Sequence, residues 1–271
     1  DIGSGEEASE YARQRGIPLG DISEKNIYSR DSNLWHMSHE GGELENTWNR
    51  PAEDMYLLTK SPQEAPDKET ELTIDFEKGL PVAVNGEQMK PRQLVEKLNE
   101  IGRENAIGRT DLVETRIVGM KSRGVYETPA GTILYRALRE LEMVTLDFDT
   151  LGMKNQLALK YADVVYAGKW FTHFRESMDA YMKQAAEYVT GSVALALYKG
   201  NVIVTGRKSP YSLYLEDLAS FGKSSYDHKD ATGFIKLYGL ATGVASIVHR
   251  RDETDEGPAR EMRAMAGFHE K

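Results

Sequence analysis

Hydrophobic and polar residues alternate with a period of two in two segments of the chain, a pattern typical of strands with one buried face. The first segment covers residues 71–86 and is interrupted by a turn at Lys78 and Gly79. The second covers residues 191–209 and is interrupted at Gly200. A turn-forming glycine between two alternating runs predicts a β-hairpin in each segment.

A period of three to four dominates the segments between and after these hairpins, where it predicts amphipathic helices. Pro91 and Pro129 stand where the first turn of a helix favours proline. The predicted helices span residues 91–105, 129–142, 146–167, 171–188 and, as one long helix capped by Asp230, 230–250. Hairpins separated by helices indicate an α+β fold, with a mixed or antiparallel sheet flanked by helices.

The rest of the sequence is less regular. A short helix ending at Gly16 is followed by an apolar run from Ile17 to Leu19, which predicts a strand. The polar residues 23–66 predict loops at the surface. Residues 111–120 predict a further strand, and the stretch that follows changes character every four or five residues. Ordinary core segments keep a single apolar period, so we expect a functional site in this stretch.

Composition excludes several classes of function. The 43 acidic and 34 basic residues give a net charge of −9, which opposes binding to nucleic acid. The absence of cysteine excludes disulfides, thiolate metal sites and cysteine nucleophiles. The sequence has no run of 18 apolar residues, so we expect a soluble protein without a membrane partner. A cytoplasmic location fits these features, and a first residue other than Met suggests a piece of a longer polypeptide.

Three features near residue 120 carry candidate chemistry. Lys121 and Arg123 flank a serine and can bind or steer an anion, or they can simply order a solvated turn. Tyr126 precedes a Glu-Thr-Pro sequence in which Thr128 is predicted to cap the next helix, and capping alone can explain that sequence. Glu114 can hold a ligand ammonium group or form an ordinary surface ion pair. His36 and His39, with Glu40 adjacent, have a spacing that metal ligands can have, but no third ligand stands out, so no metal site is predicted. No catalytic residue is predicted either.

Four motifs carry a resemblance to a known family. They read, in order, IYSRDSNLWHMSHEGGELE, GMKSRGVYETPAGTILY, LYKGNVIVTGRKSPYSLY and DATGFIKLYGL. Together they resemble the C-terminal two thirds of the argininosuccinate synthase family. These enzymes are ATP-dependent ligases that join citrulline and aspartate in arginine biosynthesis and the urea cycle, with release of AMP and pyrophosphate.

The resemblance implies roles for four residues. By position in the family motifs, Ser29, Ser38, Glu114 and Tyr126 are expected to bind citrulline. A carboxylate can neutralise the α-ammonium group, while hydroxyl groups orient the substrate through hydrogen bonds. The family usually has Asn where this chain has Thr115, a departure next to the expected ammonium ligand.

The resemblance also implies a domain organisation. Residues 1–20 are expected to end a nucleotide-binding domain, residues 21–229 to form the citrulline-binding synthetase domain, and residues 230–271 to assemble a homotetramer. No glycine-rich phosphate loop is present, so ATP with Mg²⁺ is expected to bind mainly to a half of the enzyme that this sequence lacks. The chain alone is therefore expected to be inactive. The alternative is a non-catalytic module that binds citrulline or serves assembly.

Overall fold

The computed structural model describes residues 5–18, 28–219 and 227–249. The chain divides into two compact units, Asp1–Leu213 and Tyr214–Lys271. Two antiparallel sheets and eight helices among the described residues confirm the predicted α+β class. The domain boundaries expected at residues 20 and 229 stay a prediction.

The elements alternate along the chain as follows. The helices are α1 (Gly5–Gln14), α2 (Pro91–Glu104), α3 (Pro129–Thr145), α4 (Phe148–Tyr166), α5 (His173–Ala185), α6 (Glu216–Ala219), α7 (Asp230–Tyr238) and α8 (Leu240–His249). The strands are β1 (Ser29–Ser32), β2 (Met37–Glu40), β3 (Thr70–Glu77), β4 (Leu80–Val84), β5 (Glu87–Gln88), β6 (Arg109–Thr115), β7 (Lys121–Glu127), β8 (Gly191–Tyr198) and β9 (Asn201–Lys208). Two short 3-10 turns, Gly42–Glu45 and Glu53–Met55, lie in the connection between β2 and β3.

The larger sheet confirms both predicted hairpins. Its five strands run in the order β5-β4-β3-β8-β9, and every neighbouring pair is antiparallel. Helices α2 and α3 pack on this sheet, because their apolar faces meet the buried face of the alternating strands. The core formed there includes Leu72, Ile74, Phe76, Leu94, Leu98, Ile133, Leu141, Val193, Leu195 and Leu197.

The smaller sheet has four strands in the order β1-β2-β7-β6, all antiparallel. Its strands β1 and β2 lie inside the region predicted to form loops, so that prediction was wrong for residues 29–32 and 37–40. The sequence SRDS of β1 has no apolar alternation, and its burial is correspondingly slight. Pairing with β2, which itself pairs with β7, orders this strand.

Close backbone contacts connect the smaller sheet to helix α3. A Cβ atom at Gly108 would lie 2.5 Å from the carbonyl carbon of Thr128. The backbone N–H of Thr128 donates to the Gly108 carbonyl at 2.8 Å. Thr128 precedes α3 as predicted, but its side chain makes no capping hydrogen bond, so the predicted cap was wrong. The Asn99 side chain on α2 accepts the Ala130 N–H at 3.0 Å instead.

The C-terminal unit differs from the single helix predicted for residues 230–250. Helices α7 and α8 are separated at Gly239, whose ψ of −8° (φ −79°) departs from the value of an ideal α-helix, about −42°. Glycine disfavours a continuous helix because its backbone loses the most entropy on ordering. Asp230 is the first helical residue and not the cap, a position that Lys229 occupies.

Two further points concern the chain at large. Ile17 and Pro18 are not in a strand, contrary to the prediction, and Leu19 lies outside the described residues. A proline cannot donate a backbone hydrogen bond to a neighbouring strand, which accounts for the difference. None of the helices in the described ranges is long and apolar enough to cross a membrane.

Candidate functional site

The four residues predicted to bind a ligand share one face of the smaller sheet. Ser38 on β2 lies directly opposite Tyr126 on β7 and opposite Asp31 on β1. Ser29 is two positions before Asp31, and Glu114 is four positions after the β6 partner of Tyr126. Directly opposed residues, and residues two apart on a strand, point to the same side of a sheet. The structure therefore brings Ser29, Ser38, Glu114 and Tyr126 to one surface.

Tyr126 and Glu114 are in direct contact across this surface. The Tyr126 hydroxyl donates to Oε2 of Glu114 at 3.4 Å. Burial, followed by the negative charges of Glu114 and Glu40, raises the pKa of Tyr126 to about 12. The phenol therefore keeps its proton at neutral pH and remains a hydrogen-bond donor. The His36 ring lies against it, with 6.0 Å between the ring centroids.

The two serines occupy different environments on this face. Ser38 is buried, and its Oγ accepts the backbone N–H of Asp31 at 3.3 Å. Ser29 lines a cavity of about 570 Å³ together with residues at the end of β2 and the start of β7. Ser38 is therefore positioned by the sheet itself, whereas Ser29 faces an open space.

Arg116 supplies a positive charge on the same face, two residues beyond Glu114. Its guanidinium donates to Glu40 at 3.2 Å and to the Ser122 hydroxyl at 3.1 Å. All three of these side chains line the cavity that contains Ser29. Arg116 was not singled out from the sequence as a ligand residue, although it follows Glu114 by two residues, just beyond the end of β6. The cavity thus contains both signs of charge, and of the four residues predicted to bind a ligand only Ser29 lines it.

Lys121 and Arg123 lie on the opposite face of β7, because they are an odd number of residues from Tyr126. Arg123 is 7% exposed and donates to both Asp111 oxygens at 2.9 and 2.6 Å. It also donates to the carbonyls of Asn46 and Asn49, each at 2.9 Å. Of the two roles considered for Arg123, these contacts correspond to the ordering of a loop.

The electrostatics of this opposite face are consistent with that role. The hydrogen bond from Arg123 holds the pKa of Asp111 below its usual range, despite partial burial. Side chains of both faces border the cavity, Lys121 and Arg123 among them, and the Lys121 amino group donates to the Thr115 hydroxyl. The anion-steering role of Lys121 stays a prediction.

A buried carboxylate, Glu127, was missed by the sequence analysis because it looked like part of a helix cap. It is fully buried and accepts a hydrogen bond from Nε2 of His39 at 2.8 Å. Arg30 donates from Nε to Nδ1 of His39 at 3.0 Å, so the proton of a neutral His39 is on Nε2. Glu127 and His39 lie on the face away from Tyr126.

Backbone groups complete the surroundings of Glu127. The N–H groups of Leu57, Leu58 and Thr59 donate to its two oxygens at 3.0, 3.0 and 2.7 Å, and the Thr59 hydroxyl donates at 2.7 Å. Burial opposes ionisation, but the hydrogen bonds from His39, Thr59 and the backbone outweigh it and lower the pKa of Glu127 to about 2. Glu127 therefore fastens the connection before β3 to β7.

Comparison with known proteins decides the family. The family described as Arginosuccinate synthase C-terminal domain matches residues 28–245. The chain belongs to the argininosuccinate synthase family. It is 54% identical over 251 residues to the argininosuccinate synthase of Moorella thermoacetica, covering 92% of this chain and 61% of that protein. It is 53% identical over 246 residues to the chloroplastic argininosuccinate synthase of Arabidopsis thaliana, covering 90% of this chain and 50% of that protein.

Another relative gives the same result over more of the chain. The argininosuccinate synthase of Caldanaerobacter subterraneus is 52% identical over 262 residues, which cover 96% of this chain and 64% of that protein. The chain thus spans between half and two thirds of the length of the argininosuccinate synthases that it matches. All four predicted citrulline residues lie within the matched range.

Proposed function

We propose that this chain supplies the citrulline-binding part of an argininosuccinate synthase, a ligase of arginine biosynthesis. The observation that carries the proposal is the shared face of the smaller sheet, where Glu114, Tyr126, Ser38 and Ser29 come together from four separate strands. One carboxylate beside three hydroxyl groups matches a zwitterionic amino acid with a neutral ureido side chain.

The proposed reaction has two steps. The ureido oxygen of citrulline attacks the α-phosphorus of ATP and pyrophosphate leaves. The amino group of aspartate then attacks the activated carbon, and AMP leaves with that oxygen. This chain binds and orients citrulline, while ATP and its Mg²⁺ are held mainly by sequence that the longer relatives carry. Holding the ureido group at a fixed position lowers the entropic part of the barrier.

Each residue of the proposed citrulline site has a distinct role. The Glu114 carboxylate accepts hydrogen bonds from the α-ammonium group, an interaction strengthened by opposite charge. Tyr126 remains protonated and orients either Glu114 or the substrate through its hydroxyl. Ser38 and Ser29 provide hydroxyl groups that can both donate and accept.

Replacing Glu114 by Gln is expected to weaken citrulline binding about 10- to 100-fold, because a hydrogen bond to a charged group contributes about 1.5 to 3 kcal/mol. ATP affinity is expected to stay nearly unchanged. Calorimetric titration of the chain, extended by the sequence that its relatives carry, measures both affinities. Glu71→Gln, an exposed carboxylate on β3, is the matched control. Unchanged citrulline affinity in Glu114→Gln would exclude Glu114 from the site.

Assembly into a homotetramer is the second part of the proposal, and helix α7 supports it. Its side chains Phe234, Ile235, Leu237 and Tyr238 are between 63% and 79% exposed. Four large apolar residues on nine helical positions are more than a solvated helix normally presents. A cytoplasmic location stays a prediction, and the Arabidopsis relative is named as chloroplastic.

Deleting residues 230–271 is expected to lower the oligomeric state, since the exposed apolar side chains of α7 are removed with it. Analytical ultracentrifugation of the purified chain measures the change. A milder pair of variants separates loss of contact from loss of folding: Leu237→Ser is expected to weaken assembly, whereas Lys236→Ser on the same helix is not. A truncated chain that still sediments as a tetramer would contradict this part of the proposal.

A further inference from the structure

Gly124 lies in the middle of β7, between Ser122 and Tyr126 on the face that contains the proposed citrulline residues. A Cβ atom at this position would lie 2.8 Å from both Cε2 and Oη of Tyr126, and 3.0 Å from its Cζ. These distances are shorter than real side chains tolerate. The Tyr126 ring therefore lies along its own strand, across the space that a side chain at position 124 would fill.

The direction of the ring explains how Tyr126 reaches Glu114. Glu114 lies directly opposite Ser122, whereas Tyr126 is four residues further along β7. The phenol has to cross position 124 to donate to Glu114, and it does so at 3.4 Å. Gly124 has no positive φ, so an alanine could adopt its backbone conformation without strain. Glycine is needed at position 124 for the space that the Tyr126 ring occupies, and not for its backbone freedom.

We propose that Gly124 is a positioning residue: its missing side chain lets Tyr126 lie flat and contact Glu114, which sets the geometry of the ligand surface. The contact itself is independent of any ligand, while its effect on citrulline rests on the proposed function. Any larger residue at position 124 displaces the ring from the sheet and separates the hydroxyl from the carboxylate.

The test compares Gly124→Ala with Gly206→Ala in chains labelled with ¹³C at Cζ of tyrosine. Gly206 also lies within a strand, β9, but a Cβ there would lie 3.7 Å from Ala194 Cβ, an ordinary contact. The Tyr126 signal is assigned by its loss in Tyr126→Phe. Gly124→Ala is expected to lower the pKa of Tyr126 from about 12 toward the ordinary value of about 10, because the ring loses burial and the neighbouring Glu114. Gly206→Ala is expected to leave that titration unchanged.

A second comparison covers the case in which Gly124→Ala fails to fold. Introduced together with Tyr126→Ala, the Gly124→Ala change is expected to have no further effect on the melting temperature, because the obstructing ring is gone. A folded Gly124→Ala chain with an unchanged Tyr126 titration would overturn the proposal. So would an equal loss of stability with and without Tyr126.

Citrulline titration of the same variants separates this inference from the proposed function. If citrulline binds, Gly124→Ala is expected to weaken it by at least about tenfold, similar to the loss of a hydrogen bond to a charged group. Citrulline affinity equal to wild type in Gly124→Ala would contradict the ligand role of the Tyr126–Glu114 pair. If wild type binds no citrulline but the Tyr126 titration shifts as expected, the proposed function fails and the positioning role stands.

Discussion

Replacing Glu127 by Gln is expected to lower the free energy of unfolding by about 3 kcal/mol, because it breaks a buried charged network. The two carboxylate oxygens accept five hydrogen bonds, from His39, Leu57, Leu58 and Thr59. A glutamine retains only one acceptor oxygen. Its amide nitrogen would meet donor groups, so at least one buried donor on the facing loop would lose its partner.

Chemical denaturation of the purified chain measures this change. Glu77→Gln, at an exposed position of β3, is the control and is expected to change stability by less than about 0.5 kcal/mol. A Glu127→Gln chain as stable as the control would mean that the network contributes little. Citrulline affinity is a second measurement. The folded Glu127→Gln chain is expected to keep it, because the proposed ligand residues are on the opposite face of the sheet.

The same carboxylate predicts an acid dependence with a definite sign. The pKa of Glu127 is about 2 in the folded chain, against an ordinary value of 4.5. A depressed folded pKa contributes stability above the unfolded value, and the contribution disappears as pH falls from about 4.5 toward 2. The stability difference between wild type and Glu127→Gln is therefore expected to be constant above pH 5 and to shrink below it. An increase toward acid pH would contradict the assignment.

Replacing Gly108 by Ala is expected to cost about 4 kcal/mol or more, a second effect large enough to threaten folding. The backbone at Gly108 has φ +101°, and a Cβ there would lie 2.5 to 2.7 Å from Thr128 C, Thr128 O and Pro129 N. All of these are backbone atoms, which cannot rotate away as a flexible side chain would. The start of α3 would have to move away from β6.

Gly86→Ala separates the contact from the backbone strain. Gly86 also has a positive φ, +78°, but no atom lies within 4 Å of the Cβ that an alanine would add. Only the conformational penalty applies there, about 1 kcal/mol. Thermal melting of both variants is expected to show a much larger decrease for Gly108→Ala. Equal decreases would mean that α3 can shift at little cost.

The sequence predicted those parts of the fold in which one face of an element is buried. The alternation from Leu72 to Val84 and the helical spacing in α2 and α3 predicted the core correctly, because the apolar residues that make these patterns fill it. Strands β1 and β2 carried no such signal. Their order comes from pairing across the sheet with β7, a contact between residues almost 90 positions apart that local patterns do not contain.

The candidate site was predicted in part. The family motifs gave Ser29, Ser38, Glu114 and Tyr126, and the structure places them on one surface. The sequence alone did not show that Tyr126 and Arg123 are on opposite faces. That conclusion requires residues 121–127 to form a strand, which the mixed composition of this stretch does not indicate. Once that strand is known, the odd spacing between Arg123 and Tyr126 is enough to place Arg123 on the opposite face, where it contacts the loop at Asn46 and Asn49.

Because Tyr126 and Glu127 are neighbours on β7 and point to opposite faces, they affect the register in which this strand pairs. A one-residue slip of β7 against its neighbours would exchange its two faces, turning Tyr126 inward and Glu127 outward. Such a slip would leave four donors of the loop at residues 57–59, and His39 of β2, without their carboxylate. The misaligned strand is thus penalised by a residue on the face away from the proposed ligand surface. Glu127 thereby favours the strand register that keeps the neighbouring Tyr126 on the ligand face.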